Sequence, residues 1–288
     1  MTGRKRLLIC VGAVIILIPG FLFLHRALTK RGKKQSDLTR ERIKWPDLTR
    51  LNPGKPPFSP GEKLVYEFGW NGLECARFTL TIDKAKEHPD QFVFSYEGRT
   101  TNAFVEKLWS YRVNGKTWLN RKTLLPARGR RTSSEKGHEK DVYTVEFDRK
   151  RKVVKTALYE REDDERSVER LQFVHGLDLP GAFLMARSLR IKSGEKLVLE
   201  VVHKDEIYAA EFVPKQKQRV SVKAGDYEAT EVELRLHALA GSEEERSEED
   251  GKYRSIRLWF AEERGLPVKL LSKVYVGKIY GELVSVDP

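Results

Sequence analysis

The stretch GEKLVYEFGW, residues 61–70, alternates between apolar and other side chains with a period of two. Successive side chains of a β-strand point to opposite faces, so this alternation predicts a half-buried strand. Four residues share its apolar face: Leu64, Tyr66, Phe68 and Trp70. The pair that follows, Asn71-Gly72, favours the two-residue turn of a β-hairpin. The sequence therefore places a strand and a tight turn at the start of a β domain.

The same alternation continues downstream and predicts further strands. Apolar residues recur at every second position in 78–82, 92–96, 109–113, 143–147 and 256–260, and apolar-rich runs occupy 197–202, 220–224, 229–236, 269–276 and 279–286. A second Asn-Gly pair, Asn114-Gly115, predicts another hairpin turn. We predict an all-β fold of about a dozen strands, mainly an antiparallel meander that forms a curved sheet, a half-barrel or a barrel.

One segment has the pattern of a helix instead. Asp178 precedes Leu179 and Pro180, and this order is typical of a helix N-cap followed by proline in the first turn. The apolar residues then fall on one helical face: Leu179, Phe183, Ala186 and Leu189. Gly194 follows and favours a helix end. We expect one short helix that covers or plugs one end of the sheet.

The N-terminal region predicts a membrane anchor. Residues 7–24 form an apolar run of 18 residues, which is long enough to span a bilayer as a helix. No small-residue cleavage site follows the run, so an uncleaved signal anchor is favoured over a cleaved signal peptide. The next segment is basic and punctuated by prolines, as in an extended linker. The chain therefore divides into a transmembrane signal anchor at 1–25, a linker at 26–57 and a β domain at 58–288.

Most of the positive charge lies beside this apolar run. The formal net charge is +12, and residues 1–44 hold eleven Lys or Arg against two acidic residues, which leaves +3 for residues 45–288. Basic residues next to an apolar segment commonly contact anionic lipid headgroups. No helix-turn-helix, zinc-finger or RNA-recognition motif occurs. We therefore expect membrane lipid, bound through the N-terminal helix, as a partner, and no nucleic acid.

The charges that flank the run also bear on its orientation. Three basic residues precede it, and seven lie between residues 26 and 42. By the positive-inside rule, this asymmetry keeps the C-terminal domain in the cytoplasm. The charge pattern alone thus argues against export of the β domain.

Short motifs in a fixed order span the β domain. They are FSPGEKLVY at 58–66, LDLPGAF at 177–183, RSL at 187–189, SGE at 193–195, VKAGDY at 222–227, LWF at 258–260 and LPV at 266–268. Together these motifs resemble a bacterial family called domain of unknown function 3108. The resemblance implies an exported or periplasmic β domain, and it implies no activity. On this basis we expect a single-pass inner-membrane protein with a periplasmic C-terminal domain, in conflict with the flanking charges.

The residue types that carry catalysis form no recognisable motif. The six histidines lack the spacing of metal ligands. Acidic residues cluster at Asp163-Asp164 and within 243–250, where the charge-rich context favours solvated hairpin tips. Cys10 and Cys75 do not provide a disulfide framework. We predict a non-enzymatic protein with no catalytic residue, metal or cofactor, and keep an unrecognised hydrolase as an alternative because catalytic groups can assemble in space.

Aromatic residues concentrate on one face of the first strands. The candidate ligand-binding residues are Tyr66, Phe68, Trp70, Phe78, Phe92, Phe94 and Tyr96. This face is either an ordinary hydrophobic core or a concave apolar surface that holds a ligand. The first hypothesis is a membrane-anchored cell-envelope protein that binds a lipid-like ligand or an envelope partner. The alternative is a structural or assembly module with a solid core and no ligand.

Overall fold

The computed structural model describes residues 43–46, 48, 56–189, 191, 195–240, 255–273 and 277–287. The predicted transmembrane segment at 1–25 and most of the predicted linker at 26–57 lie outside the described residues, as does the acidic run at 243–250. Within the part of the chain that is described, no helix is both long and apolar enough to cross a membrane. The predicted β domain is described over most of its length.

The described residues form fourteen strands and two short helices. The strands are β1 Glu62–Trp70, β2 Leu73–Lys84, β3 Gln91–Thr100, β4 Tyr111–Asn120, β5 Pro126–Glu135, β6 His138–Asp148, β7 Val153–Glu160, β8 Glu165–Gln172, β9 Leu197–His203, β10 Glu206–Val222, β11 Gly225–Ala240, β12 Ser255–Ala261, β13 Leu266–Lys273 and β14 Lys278–Asp287. The helices are α1 Ala103–Leu108 and α2 Leu179–Leu189.

All fourteen strands belong to one antiparallel sheet. Its order is β8-β7-β6-β5-β4-β3-β2-β1-β14-β13-β12-β11-β10-β9. Each half of the chain is a meander, and the pairing of β1 with β14 joins the two halves. The prediction of an all-β, antiparallel meander is therefore confirmed. The sheet leaves β8 and β9 at its two ends.

The segment that precedes α2 links the two ends of the sheet. Leu177 forms a parallel bridge with Val201 of β9. The carboxylate of Glu200, also on β9, accepts hydrogen bonds from the backbone N–H groups of residues 174–176 at 2.7 to 3.0 Å. Farther along, the hydroxyl of Tyr143 on β6 accepts a hydrogen bond from a backbone N–H of the β9–β10 turn at 3.1 Å. The sheet therefore curls until its ends meet across this segment.

Two local predictions are confirmed in the structure. Asn71 and Gly72 have φ values of +49° and +88°, as a type I′ hairpin turn requires. Asp178 caps α2, since its Oδ1 accepts a hydrogen bond from the N–H of Gly181 at 2.8 Å. Most residues of α2 are buried, and the helix packs against β4 and β9. The helix therefore fills part of the space that the curved sheet encloses.

The prediction of a single helix is wrong, because α1 was missed. Asn102 caps α1 by accepting hydrogen bonds from the N–H groups of Phe104 and Val105 at 3.0 and 3.2 Å. Val105 is the one residue of α1 that is buried. A helix of six residues with one buried side chain shows no apolar periodicity, so the sequence pattern did not reveal it.

The prediction of a turn at Asn114-Gly115 is also wrong. Both residues lie in the middle of β4, where Asn114 is opposite Glu97 and Gly115 is opposite Tyr96 of β3. A Cβ atom on Gly115 would lie 2.4 Å from the ring of Tyr96. Glycine is needed here because an aromatic ring covers the strand, and not because the backbone turns.

Candidate functional site

Helix α2 separates two cavities on the inner side of the sheet, and Leu179 and Phe183 border both of them. The larger cavity has a volume of about 140 Å³. Its walls come from β1 and from β9–β14, and its remaining side is formed by α2. The cavity therefore lies where the two halves of the sheet meet.

Small residues create the space in this larger cavity. Ala182 and Ala186 of α2 and Ala210 of β10 face it, and all three are buried. Phe68 of β1 covers Gly281 of β14, where a Cβ atom would lie 2.4 Å from the ring. Larger side chains at these positions would fill the cavity, so its volume depends directly on the residues that the sequence places there.

The larger cavity is chemically apolar. The hydroxyl of Tyr66 donates a hydrogen bond to the carbonyl of Pro267 at 2.8 Å, and burial raises the pKa of Tyr66, so the phenol stays neutral. Lys269 also borders the cavity, and its ammonium lies 5.7 Å from the centre of the Trp259 ring, a residue that does not border the cavity. Apolar cavities of roughly 150 Å³ stay dry and accept small apolar molecules. This cavity can therefore hold an apolar group.

The smaller cavity, of about 50 Å³, has polar residues at its wall. Asp178 accepts a hydrogen bond from the hydroxyl of Thr117 at 2.6 Å. Burial raises the pKa of the Asp178 carboxyl to about 6, although the hydrogen bonds from Thr117 and the Gly181 N–H oppose this effect. A carboxyl group with this pKa changes its charge near neutral pH. In this position it caps a helix, which is a structural task.

A buried arginine borders the same smaller cavity. The guanidinium of Arg131 lies 3.4 Å from the carboxylate of Asp141 and 5.2 Å from the centre of the Tyr143 ring. Asp141 also accepts a hydrogen bond from the hydroxyl of Ser133 at 2.7 Å. The charge of Arg131 is thus balanced by Asp141. This arrangement indicates a polar network that holds β5 and β6 together.

The structure divides the predicted aromatic face between the two cavities. Tyr66 and Phe68 border the larger cavity. Three residues border the smaller one: Phe78, Phe94 and Tyr96. Phe92 and Trp70 are not among the residues that border either of these two cavities. Phe92 packs edge-on against Phe58, with the ring centres 5.4 Å apart.

Several residues that border the larger cavity are not among the candidates that the sequence indicates. Phe212, Leu258 and Phe260 form part of its wall, and they come from strands that lie far from β1 in the sequence. The alternation at 256–260 predicted a strand, but it did not show which strand faces β1. The pairing of β1 with β14 supplies that information, and a long-range pairing is not readable from local periodicity.

A family model described as a protein of unknown function, DUF3108, matches residues 65–284. The chain belongs to the DUF3108 family. The resemblance seen in the sequence motifs is therefore confirmed. The matched range includes at least part of each of the fourteen strands of this DUF3108 protein.

The chain is also similar in fold to solved structures. A crystal structure of a β-barrel-like protein of domain of unknown function DUF1849 from Brucella abortus has a TM-score of 0.52 and 11% sequence identity, over 79% of this chain and 97% of that chain. A Bacteroides fragilis protein with a YmcC-like fold has a TM-score of 0.38 and 11% identity, over 81% of this chain and 98% of that chain. No curated protein matches the sequence. The first likeness shows a β-barrel-like fold and nothing about activity.

Proposed function

We propose that this DUF3108 protein is a membrane-anchored protein of the cell envelope whose β domain binds a lipid-like ligand in the larger cavity, without catalysing a reaction. The observation that carries the proposal is the apolar lining of the 140 Å³ space beside α2. Empty apolar space lacks dispersion contacts and lowers the stability of a domain. An apolar ligand that fills the cavity would restore those contacts.

The anchoring part of the proposal rests on the sequence of the N-terminal region. The apolar run at 7–24 has the length of a membrane-spanning helix. The proline-punctuated segment at 26–57 would hold the β domain at a distance from the bilayer. We place the β domain in the periplasm, as the family motifs imply, although the flanking positive charges favour the cytoplasm.

The proposal of a non-enzymatic role is supported by the roles of the buried acids. Asp178 caps α2, Glu200 holds the segment 174–176, and Glu62 pairs with Arg187. Each of these carboxylates is thus used in the fold. At the smaller cavity the hydroxyl of Thr117 contacts Asp178, and a hydroxyl beside a carboxylate is a pairing that covalent catalysis can use. Because the same carboxyl caps α2, we assign this pair a structural role.

The alternative function, an assembly module that pairs through a sheet edge, has one observation in its favour. Strand β8 is an end strand, and its residue Val168 is 42% exposed. The rest of β8 carries alternating charges, Glu165-Arg166 and Glu169-Arg170. Charged residues on an edge strand prevent pairing with a second chain. The charges on β8 therefore favour the ligand-binding function over edge pairing.

The ligand-binding proposal is tested by filling the cavity. Ala186→Leu places a larger apolar side chain into the space that a ligand would occupy. The neutral fluorescent probe N-phenyl-1-naphthylamine is titrated into wild-type and variant protein, and lipid is extracted from both after purification. We expect the wild type to bind the probe and to carry extractable lipid. The variant should lose most of its probe binding and most of its extractable lipid.

A matched variant controls for effects on folding. Ala127→Leu adds the same side chain to β5, at a half-buried position that borders neither the larger nor the smaller cavity, and should leave probe binding unchanged. The thermal midpoint is measured for all three proteins, because overpacking lowers it and cavity filling does not. Wild-type protein that neither binds the probe nor carries lipid would refute the ligand-binding function.

The location is tested separately on the full-length chain. The protein should fractionate with membranes, resist carbonate extraction and keep its N-terminus. A reporter that is active only outside the cytoplasm, fused after Pro288, should be active. A mature N-terminus near residue 26 would refute the anchor, and activity of a cytoplasm-specific reporter would show that the flanking charges determine orientation.

A further inference from the structure

The outer surface of strands β3–β5 carries like charges directly opposite one another. Arg99 of β3 is paired in register with Arg112 of β4, and Lys116 of β4 is paired with Arg130 of β5. Arg128 lies two residues before Arg130, and all five side chains are exposed. We call these five residues the basic face. Like charges placed directly opposite each other destabilise a sheet, so the fold gains nothing from them.

The protein does not neutralise the basic face. Within the described residues, none of its five side chains forms an ion pair within 4.0 Å. Glu97 of β3 lies within the face and Glu146 borders it opposite Arg128, and neither reaches one of the five cations at that distance. The next arginine in the same row, Arg77 of β2, is different because it pairs with Glu67. The basic face and its border therefore carry five cations against two carboxylates, and none of the five cations is held in an ion pair with a described residue.

A half-buried tryptophan lies at one end of the basic face. The ring centre of Trp118 of β4 is 4.7 Å from the guanidinium carbon of Arg128. Val93 of β3 is opposite Trp118, and both are half-buried. Tryptophan and arginine have amphipathic side chains that suit the boundary between water and lipid headgroups. This composition favours a lipid surface over a fully polar anion.

The dimensions of the basic face also fit an extended surface. The six residue steps from Arg112 to Trp118 cover about 20 Å along β4 at the usual strand rise. The three strands β3–β5 together cover about 10 Å across, at the usual strand spacing. The face is the outer side of a sheet and not a groove, so several separate anionic groups can contact it at once.

We propose that the basic face docks the β domain onto a bilayer surface that carries anionic headgroups. This inference goes beyond the proposed ligand binding, because none of the five side chains forms a wall of the larger cavity. The attraction is electrostatic between exposed groups, so salt screens it and neutral lipid does not produce it. Docking would place the outer side of β3–β5 against the lipid headgroups.

The test uses the full-length protein mixed with lipid nanodiscs. A nitrobenzoxadiazole fluorophore is attached to the protein through Asn114→Cys, an exposed position between Arg112 and Lys116. Cys10→Ser removes one of the two native cysteines, and the other, Cys75, is buried. A second protein carries the fluorophore through Gln216→Cys on β10. The emission of this fluorophore increases and shifts to the blue when it contacts lipid. We expect this change at position 114 with phosphatidylglycerol discs, reversal in 0.5 M NaCl, and no change with phosphatidylcholine discs or at position 216.

Two charge variants complete the test. Arg112→Gln, Lys116→Gln and Arg130→Gln together should reduce the change at position 114 by about tenfold, since each basic residue adds to the attraction. Lys84→Gln, Lys86→Gln and Lys150→Gln remove the same charge from exposed positions off the basic face and should leave it intact. No change with phosphatidylglycerol discs overturns the proposal, as does an equal change with phosphatidylcholine discs or at position 216. A response to heparin but not to anionic discs also overturns it, because the partner would then be another polyanion.

Discussion

Arg187 and Glu62 form an ion pair of 2.7 Å in which both side chains are fully removed from solvent. Arg187 lies on α2 and Glu62 begins β1, the strand that joins the two halves of the sheet. The guanidinium lies 5.9 Å from the ring centres of Phe58 and Phe183. Arg264 also donates a hydrogen bond to Glu62. The pair therefore ties the helix, which borders the larger cavity, to the centre of the sheet.

The first prediction concerns the loss of this arginine. Arg187→Met should lower the free energy of unfolding by about 3 kcal/mol, because it removes one partner of a buried charge pair. The double variant Arg187→Met with Glu62→Gln should recover part of the loss, because it removes the buried carboxylate, which in Arg187→Met keeps only the partly exposed Arg264 as a charged partner. Urea unfolding of the two variants measures the difference.

A partly exposed arginine on the same carboxylate provides the control. Arg264→Met removes a side chain that is 37% exposed, and we expect a smaller loss of about 1 kcal/mol. Equal losses for Arg187→Met and Arg264→Met would show that burial of the pair does not determine its contribution.

The second prediction separates the cavity from the core. Phe68 is fully buried and packs edge-on against Phe78 with ring centres 5.4 Å apart. Phe68→Ala should lower the free energy of unfolding by about 3 to 5 kcal/mol and should also change the affinity for the naphthylamine probe. Phe92→Ala should cost a similar amount of stability without changing probe affinity, because Phe92 borders neither of the two cavities. Identical effects of both variants on probe affinity would place the probe outside the larger cavity.

The third prediction is a pH dependence at Asp178. Burial raises the pKa of this carboxyl from 3.8 to about 6 in the folded protein, so the folded state binds the proton more tightly than the unfolded state. The stability that the neutral group contributes is complete below about pH 4 and is lost as the pH rises through 6. Asp178→Asn keeps a good N-cap residue but does not titrate.

The asparagine variant should therefore gain stability relative to the wild type as the pH rises from 4 to 7. A shift of this size corresponds to about 3 kcal/mol at most. Thermal midpoints of both proteins at pH 4, 5, 6 and 7 measure the change. A difference between the two proteins that stays constant over this range would show that Asp178 titrates normally in the fold.

The strands and turns that depend on neighbouring residues could be predicted from the sequence. The alternation at 61–70 correctly predicts a strand because one face of that strand is buried in the fold. Asn71-Gly72 correctly predicts a turn because both residues adopt positive φ. Asp178 correctly predicts the start of α2 for an equally local reason, because its carboxylate accepts a hydrogen bond from the N–H of Gly181. Each of these signals lies within a few residues of the structure that it specifies.

The composition of the larger cavity could not be predicted in this way. Phe68 and Phe260 border the same space, although nearly two hundred residues separate them. Gly115 was misread as a turn because the ring that covers it, Tyr96, belongs to another strand. These features depend on strand register and on long-range pairing, and periodicity along one segment contains neither.

The last prediction concerns the closure of the sheet. Glu200 is fully buried, and one of its oxygens accepts hydrogen bonds from the three N–H groups of residues 174–176. The guanidinium of Arg149 donates hydrogen bonds to carbonyls of the same segment. Glu200→Gln replaces a charged acceptor by a neutral one, so the free energy of unfolding should fall by about 2 kcal/mol.

Glu200→Gln should loosen the segment 174–176 without unfolding the rest of the sheet. In Glu200→Gln, the amides of residues 174–176 should exchange their hydrogens faster, while those at the centre of the sheet, where β1 pairs with β14, should stay protected under native conditions. Glu211→Gln serves as the control, because Glu211 makes its ion pairs with Lys196 and Arg235 at the surface of β9–β11 and should cost less than about 1 kcal/mol. If the amides at 174–176 keep their protection in Glu200→Gln, the bridge between Leu177 and Val201 holds the ends of the sheet together without the carboxylate.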